Sequence, residues 1–301
     1  MTNQLKGSLS ILLATVIWGS TFVAQSIGGR TIGPFTFLSL RCILAVVFLL
    51  LVLFLRNRKE FGKILADPRL WKAGIPCGIA LFAATAMQQV GLIYTTAGKG
   101  GFITTMYIIL VPIFGLFLRR KPPKTVILSV LIAAVGLYLI SGAGFSAINI
   151  GDVLMLGCAI AFAVQILIMD RVAGALNSMA LNMSQALVCG ILAGICALCF
   201  DTLSWGNILA CWFPLCWAGI LSMGVAYTLQ IVGQKAIEPT TASLLMSFES
   251  VFAAISGVIA TAVGWLHEKP MTTLEILGCA LLFGAVLLTQ IPTKDIKKAP
   301  K

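Results

Sequence analysis

Apolar residues along the 301-residue chain gather into ten long blocks that carry almost no charge: 8–27, 35–55, 73–94, 101–118, 125–141, 153–169, 179–200, 211–233, 240–263 and 273–291. Each is close to the roughly 20 residues that an α-helix needs to cross the hydrocarbon core at about 1.5 Å per residue. The alternation of a membrane β-barrel is absent. The pattern predicts an all-α integral membrane protein with ten transmembrane helices. The first block follows a single cation, Lys6, without a convincing small-residue cleavage site, and nine more blocks come after it, so it reads as a helix and not a secretory leader.

The blocks form two sets of five, and the sets can be laid on each other. A shift of 144 residues places Gly7 on Gly151, 18–23 on 162–167 and Arg41 on Gln185. A shift of 142 places Gln88 on Gln230, Gly91 on Gly233 and Tyr107 on Glu249, and a shift of 148 places Lys121-Pro122 on Lys269-Pro270 and Gly136 on Gly284. This register implies a duplication, with residues 1–146 as the first repeat and 147–301 as the second. An odd number of spans per repeat turns the halves upside down relative to each other. Inverted repeats of this kind build their site where the halves meet, so the expectation is two five-helix repeats around a central cavity.

Charge sets the orientation. Only 10% of residues are charged and 59% are hydrophobic, with mean hydropathy +1.02. A soluble domain is nearer a quarter charged. With the N-terminus inside, the cytoplasmic segments hold Lys6, Arg56, Arg58, Lys59, Lys63, Arg69, Lys72, Arg119, Arg120, Lys121, Lys124, Arg171, Lys235, Lys294, Lys297, Lys298 and Lys301. Outside are Arg30, Lys99 and Lys269 alone. The positive-inside rule thus selects a multi-pass protein of the cell membrane with both termini cytoplasmic. It also accounts for most of the net charge of +11. Nucleic-acid binding would gather the cations on one face, and here they are spread over loops.

Several stretches resemble EamA-type permeases of the drug/metabolite transporter superfamily. WGSTFVA at 18–24 and LRCILAVV at 40–47 are similar to the first two helices of that family. GLIYTTAGKGGFITTMYIILVPIFG at 91–115 and ASLLMSFESVFAAISGV at 242–258 resemble its paired helix-turn-helix segments, and LHEKPMTTLEILGCALLFGAVLL at 266–288 its closing segment. The resemblance covers essentially the whole chain. It implies a secondary transporter that moves small metabolites, often exporting amino acids or related compounds, driven by an ion gradient or by the substrate's own. One departure stands out: where many second repeats read Glu-Pro, this chain has Glu249-Ser250, which leaves the helix kink there open. Pro112 is a helix-interior proline at a different height in the first repeat.

The membrane-buried polar residues carry what chemistry there is. Arg41 is the only cation inside a block, roughly 9 Å below the outer end of its helix. Glu249 is the only acid well inside one, about 14 Å from the cytoplasmic end. Charges at such depth face a cavity or a partner. Arg41 can hold an anionic group through its planar fork, or it can snorkel outward. Glu249 can bind a substrate ammonium or act as the coupling group that carries a proton, or it can merely hydrogen-bond neighbouring helices. Their different depths argue against a direct pair. Trp18, Thr21 and Gln25 share a face of the first helix. With Gln88, Tyr107, Gln165, Gln185, Tyr227 and Gln230, Trp18, Thr21 and Arg41 make up the expected substrate site; Gln89 and Asn182 are polar residues close to it in sequence. Ser243, Ser247 and Ser250 read as a packing seam.

Enzyme signatures are missing. No Walker A sequence is present. His267 stands alone in an outer loop, and Cys196-x-x-Cys199, without a second pair or a histidine, reads as packing. No cofactor, catalytic residue or metal site is expected. A lipid-modifying membrane enzyme would need clustered acids, histidines or cysteines at one membrane face, and a channel or scaffold would be separated by non-saturating flux. The partners expected are a small-molecule substrate, membrane lipid and protons as a candidate coupling ion, with the protein a monomer or homodimer.

Overall fold

The computed structural model describes residues 3–95, 97–118, 124–140, 149–265 and 272–290. Among them there is no strand. The helices are α1 (Asn3–Ile32), α2 (Pro34–Arg56), α3 (Phe61–Ala66), α4 (Pro68–Tyr94), α5 (Ala97–Thr105), α6 (Tyr107–Phe117), α7 (Lys124–Ile140), α8 (Ile150–Val172), α9 (Ser178–Phe200), α10 (Trp205–Ala210), α11 (Trp212–Cys216), α12 (Tyr227–Gln234), α13 (Pro239–Met246), α14 (Phe248–Ala262) and α15 (Thr273–Gln290). Among the described residues, eight stretches are long and apolar enough to cross a membrane, including the composites Gly100–Phe117, Trp212–Gln234 and Pro239–Ala262. The segments that correspond to the fifth and tenth blocks contain shorter apolar helices, at Lys124–Gly136 and Ile276–Ala285. Large apolar side chains such as Leu13, Val47, Leu131, Ile195 and Ile259 point outward, as lipid contact requires. Lys121-Pro122, Lys269-Pro270, His267 and the tail 294–301 lie outside the described residues.

Helix ends follow local chemistry. Asn149 and Asp152 form a reciprocal capping box at the start of α8. Asn177 caps α9 by accepting from Met179 and Ala180. Asp67 caps α4 from outside the span, and its contacts with the Arg69 side chain and backbone hold its carboxyl below the ordinary range. At the same end of the bundle, Lys235 donates to the Leu176 carbonyl at 2.7 Å, and partial burial lowers its ammonium.

Two interior breaks fall at matching places. The fourth block bends at Met106 between α5 and α6, and the ninth at Ser247 between α13 and α14. Neither break is at a proline; Pro112 sits inside α6. Instead, hydroxyls bond to carbonyls three residues back: Thr105 to Phe102 at 2.9 Å, Ser247 to Leu244 at 2.6 Å and Ser250 to Ser247 at 2.8 Å. Such back-bonding bends helices. The bend at Ser247 therefore forms without the Glu-Pro sequence. A third irregularity is a π-helical stretch, Trp217–Ala226, between α11 and α12. Its wider turns leave carbonyls that neighbouring side chains must satisfy.

The core is assembled by helices distant in sequence. α2 packs along α9, α7 along α15, α4 against α8 and α9, and α1 against α12 and α14. Small residues permit the tightest approaches. A Cβ on Gly7 would stand 3.1 Å from the Gly233 carbonyl, and one on Gly233 would stand 2.9 Å from the Gly7 carbonyl. Gly91 and Gly151 meet in the same reciprocal way, at 3.2 and 2.9 Å.

Candidate functional site

A cavity of about 30 Å³ lies inside the bundle, lined by residues of both halves of the chain: Trp18, Thr21, Gln25, Arg41, Gln88, Tyr107, Phe162, Ile166, Ser222, Tyr227, Gln230, Met246 and Glu249. One water needs roughly 10–15 Å³ on this measure, so the space admits two or three. Eight of the residues expected from sequence meet here. Gln165 and Gln185 are fully buried but do not line the cavity; they stand behind Gln230.

Each wall follows from its helix. α1 contributes Trp18, Thr21 and Gln25 at a spacing of three and four residues, so one face delivers all three. The bends at Met106 and Ser247 come immediately before Tyr107 and close to Glu249, the positions that correspond in the two sets of blocks. Tyr107 lies beside the Glu249 carboxyl. Tyr227 follows the π-helical stretch and lies within electrostatic reach of both Arg41 and Glu249. Two aromatic pairs complete the walls. Trp18 meets Tyr227 edge-on at 5.0 Å between centroids, and Tyr107 meets Phe162 edge-on at 6.4 Å. Residue 162 is where the 144 shift places Trp18.

Arg41 is 3% exposed. Its Nη1 donates to Gln25 Oε1 at 2.8 Å, and its guanidinium carbon lies 5.9 Å from the Phe37 ring centroid. Arg41 is therefore held inside the bundle rather than extended to the interface. No ion pair joins it to Glu249 among the described residues. Arg41 Nε, Trp18 Nε1 and Gln230 Oε1 are buried without hydrogen-bond partners among those residues. The cavity thus offers a cation, a separate acid and unused hydrogen-bonding capacity.

Gln25, Phe162, Ile166, Ser222 and Met246 were not in the expected set. Gln25 was visible on the Trp18 face. Ser222 and Met246 reach the cavity through an irregular stretch and a helix break, which apolar periodicity does not reveal. Among the described residues no three His, Cys, Asp or Glu side chains are grouped to hold a metal.

The sequence profile of the EamA-like transporter family matches this chain twice, over residues 5–142 and again over 149–291. The chain belongs to the EamA-like transporter family. An uncharacterized transporter of Archaeoglobus fulgidus is 31% identical over 290 residues, covering 96% of this chain and 87% of that protein. A crystal structure of another protein shares the fold, with a TM-score of 0.77 at 18% identity over 97% of this chain and 99% of that one. This EamA-like chain is thus a multi-pass membrane transporter, and its polar cavity lies between segments matched by the two passages of the family profile.

Proposed function

We propose that the protein is a secondary transporter that exports a small zwitterionic metabolite, an amino acid or related compound, across the cytoplasmic membrane by alternating access. In this reading ten spans form two inverted repeats, and both termini are cytoplasmic. The observation that carries the proposal is the buried cavity with Arg41 and Glu249 on its walls and no ion pair between them. A carboxylate bonds to the Arg41 fork and an ammonium to Glu249 and the tyrosine hydroxyls. The reciprocal contacts of Gly7 with Gly233 and of Gly91 with Gly151 support the inversion, because the shifts of 144 and 142 exchange one pair for the other.

The cavity's size supports alternating access. A space of about 30 Å³ cannot hold an amino acid, so loading requires the helices to separate on one side. The broken and π-helical segments around the cavity are where such movement is cheapest. Glu249 carries the coupling proton: it binds the proton when the cavity faces the side of higher proton concentration and releases it on the other. Purified protein in liposomes, screened with pooled metabolites for uptake and counterflow, tests the reading. Saturable uptake with counterflow of an amino acid is the expected result; unsaturable flux without counterflow identifies a channel and overturns it.

A further inference from the structure

A one-way chain of amide hydrogen bonds runs from the π-helical stretch to the cavity wall. Asn182 Nδ2 donates to the carbonyls of Met223 and Gly224, both at 2.9 Å, and to Thr228 Oγ1 at 3.0 Å. Gln185 Nε2 donates to Asn182 Oδ1 at 3.0 Å, Gln165 Nε2 to Gln185 Oε1 at 3.2 Å, and Gln230 Nε2 to Gln165 Oε1 at 3.3 Å. The direction is dictated at one end. Backbone carbonyls only accept, so Asn182 must turn its NH₂ towards the π-helical stretch. Every later amide is then forced: Oδ1 of Asn182 can only accept, Gln185 must donate to it, and so on. The chain ends at Gln230, a residue that lines the cavity and whose Oε1 is a buried acceptor without a partner among the described residues.

Other lining residues have the opposite polarity. Gln25 Oε1 is taken by Arg41, which leaves the Gln25 NH₂, Arg41 Nε and Trp18 Nε1 as donors. We infer that Asn182, Gln185 and Gln165 are positioning residues: they lock Gln230 with its oxygen towards the ligand and so select a protonated amine that still carries N–H. They touch no ligand themselves. The inference rests on the zwitterion reading above and adds its selectivity. An ammonium whose hydrogens are all replaced by methyl groups cannot donate to Gln230 and leaves that acceptor desolvated and unpaired.

The test uses proteoliposome uptake of labelled L-amino acids and of their N,N,N-trimethyl counterparts, in the parent, Asn182→Leu and Gln185→Met. Asn182→Leu frees the whole chain to flip. Gln185→Met keeps the bonds from Asn182 to the π-helical stretch and cuts the chain beyond it, so the experiment survives poor folding of the first variant. The parent should prefer the amine by about tenfold or more, the order expected of a hydrogen bond to a charged group. In either variant the ratio should collapse towards one through a rise in KM for the amine alone, whereas mere damage lowers both substrates together. An unchanged ratio in the variants overturns the inference while the zwitterion reading stands. No preference in the parent overturns the inference as well. No uptake of any probe by the parent overturns both.

Discussion

Replacing Arg41 probes the proposed carboxylate contact in the cavity. In Arg41→Lys the charge stays, but a single ammonium replaces a planar fork that bonds Gln25 at 2.8 Å while keeping Nε free. The ammonium can satisfy Gln25 or a substrate carboxylate, not both in the fork's geometry. Loss of one hydrogen bond to a charged group costs about 1.5–3 kcal/mol, which is roughly a tenfold to hundredfold loss in transport efficiency. Because the bond is made to bound substrate, the loss should fall mainly on KM. Initial rates of counterflow in liposomes, normalised to correctly folded protein, measure it. Arg41→Ala should abolish transport, since it also leaves Gln25 Oε1 unpaired. Parent rates in Arg41→Ala would instead make Arg41 a structural cation only and remove it from substrate binding.

Glu249→Gln should retain substrate exchange yet lose accumulation driven by a pH gradient; unchanged pH-driven accumulation would remove Glu249 from proton coupling. Gly91→Val and Gly233→Val insert side chains against opposing backbone and should each destabilise by about 1–3 kcal/mol, read as lower melting temperatures in detergent. Gly206→Ala, with open space around it, should change little. A cysteine placed by Ser204→Cys should react with impermeant reagent only from outside, and one placed by Ile296→Cys only from inside; the reverse would sink the topology.

The spans were legible because lipid imposes one rule, apolar side chains over about 20 residues, and that rule appears directly in composition. Arg41 and Glu249 were legible for the converse reason: a buried charge is conspicuous in such a sequence. The bends were not. Ser243, Ser247 and Ser250 are buried, as a packing seam is, but a seam does not announce that their hydroxyls bond to backbone carbonyls and that the chain breaks at Ser247. Pro112 is helix-interior as expected, and the break in the fourth block falls at Met106 instead. Gln165 and Gln185 were recognisable as polar residues, but their place behind Gln230 depends on how α8, α9 and α12 pack. No single-helix pattern encodes that.

If the cavity opens to each side in turn, Ser222 must become accessible from both. Ser222 lines the cavity and is 4% exposed. The measurement uses Ser222→Cys in a background where Cys196, Cys199, Cys216 and Cys279, the cysteines that are not fully buried, are replaced. A membrane-impermeant thiol reagent is applied from each side, with and without a transported amino acid. Alternating access gives reaction from both faces, at rates that shift in opposite directions when a substrate gradient is imposed, and protection by saturating substrate. Reaction from one face only, under every gradient and without protection, would contradict it.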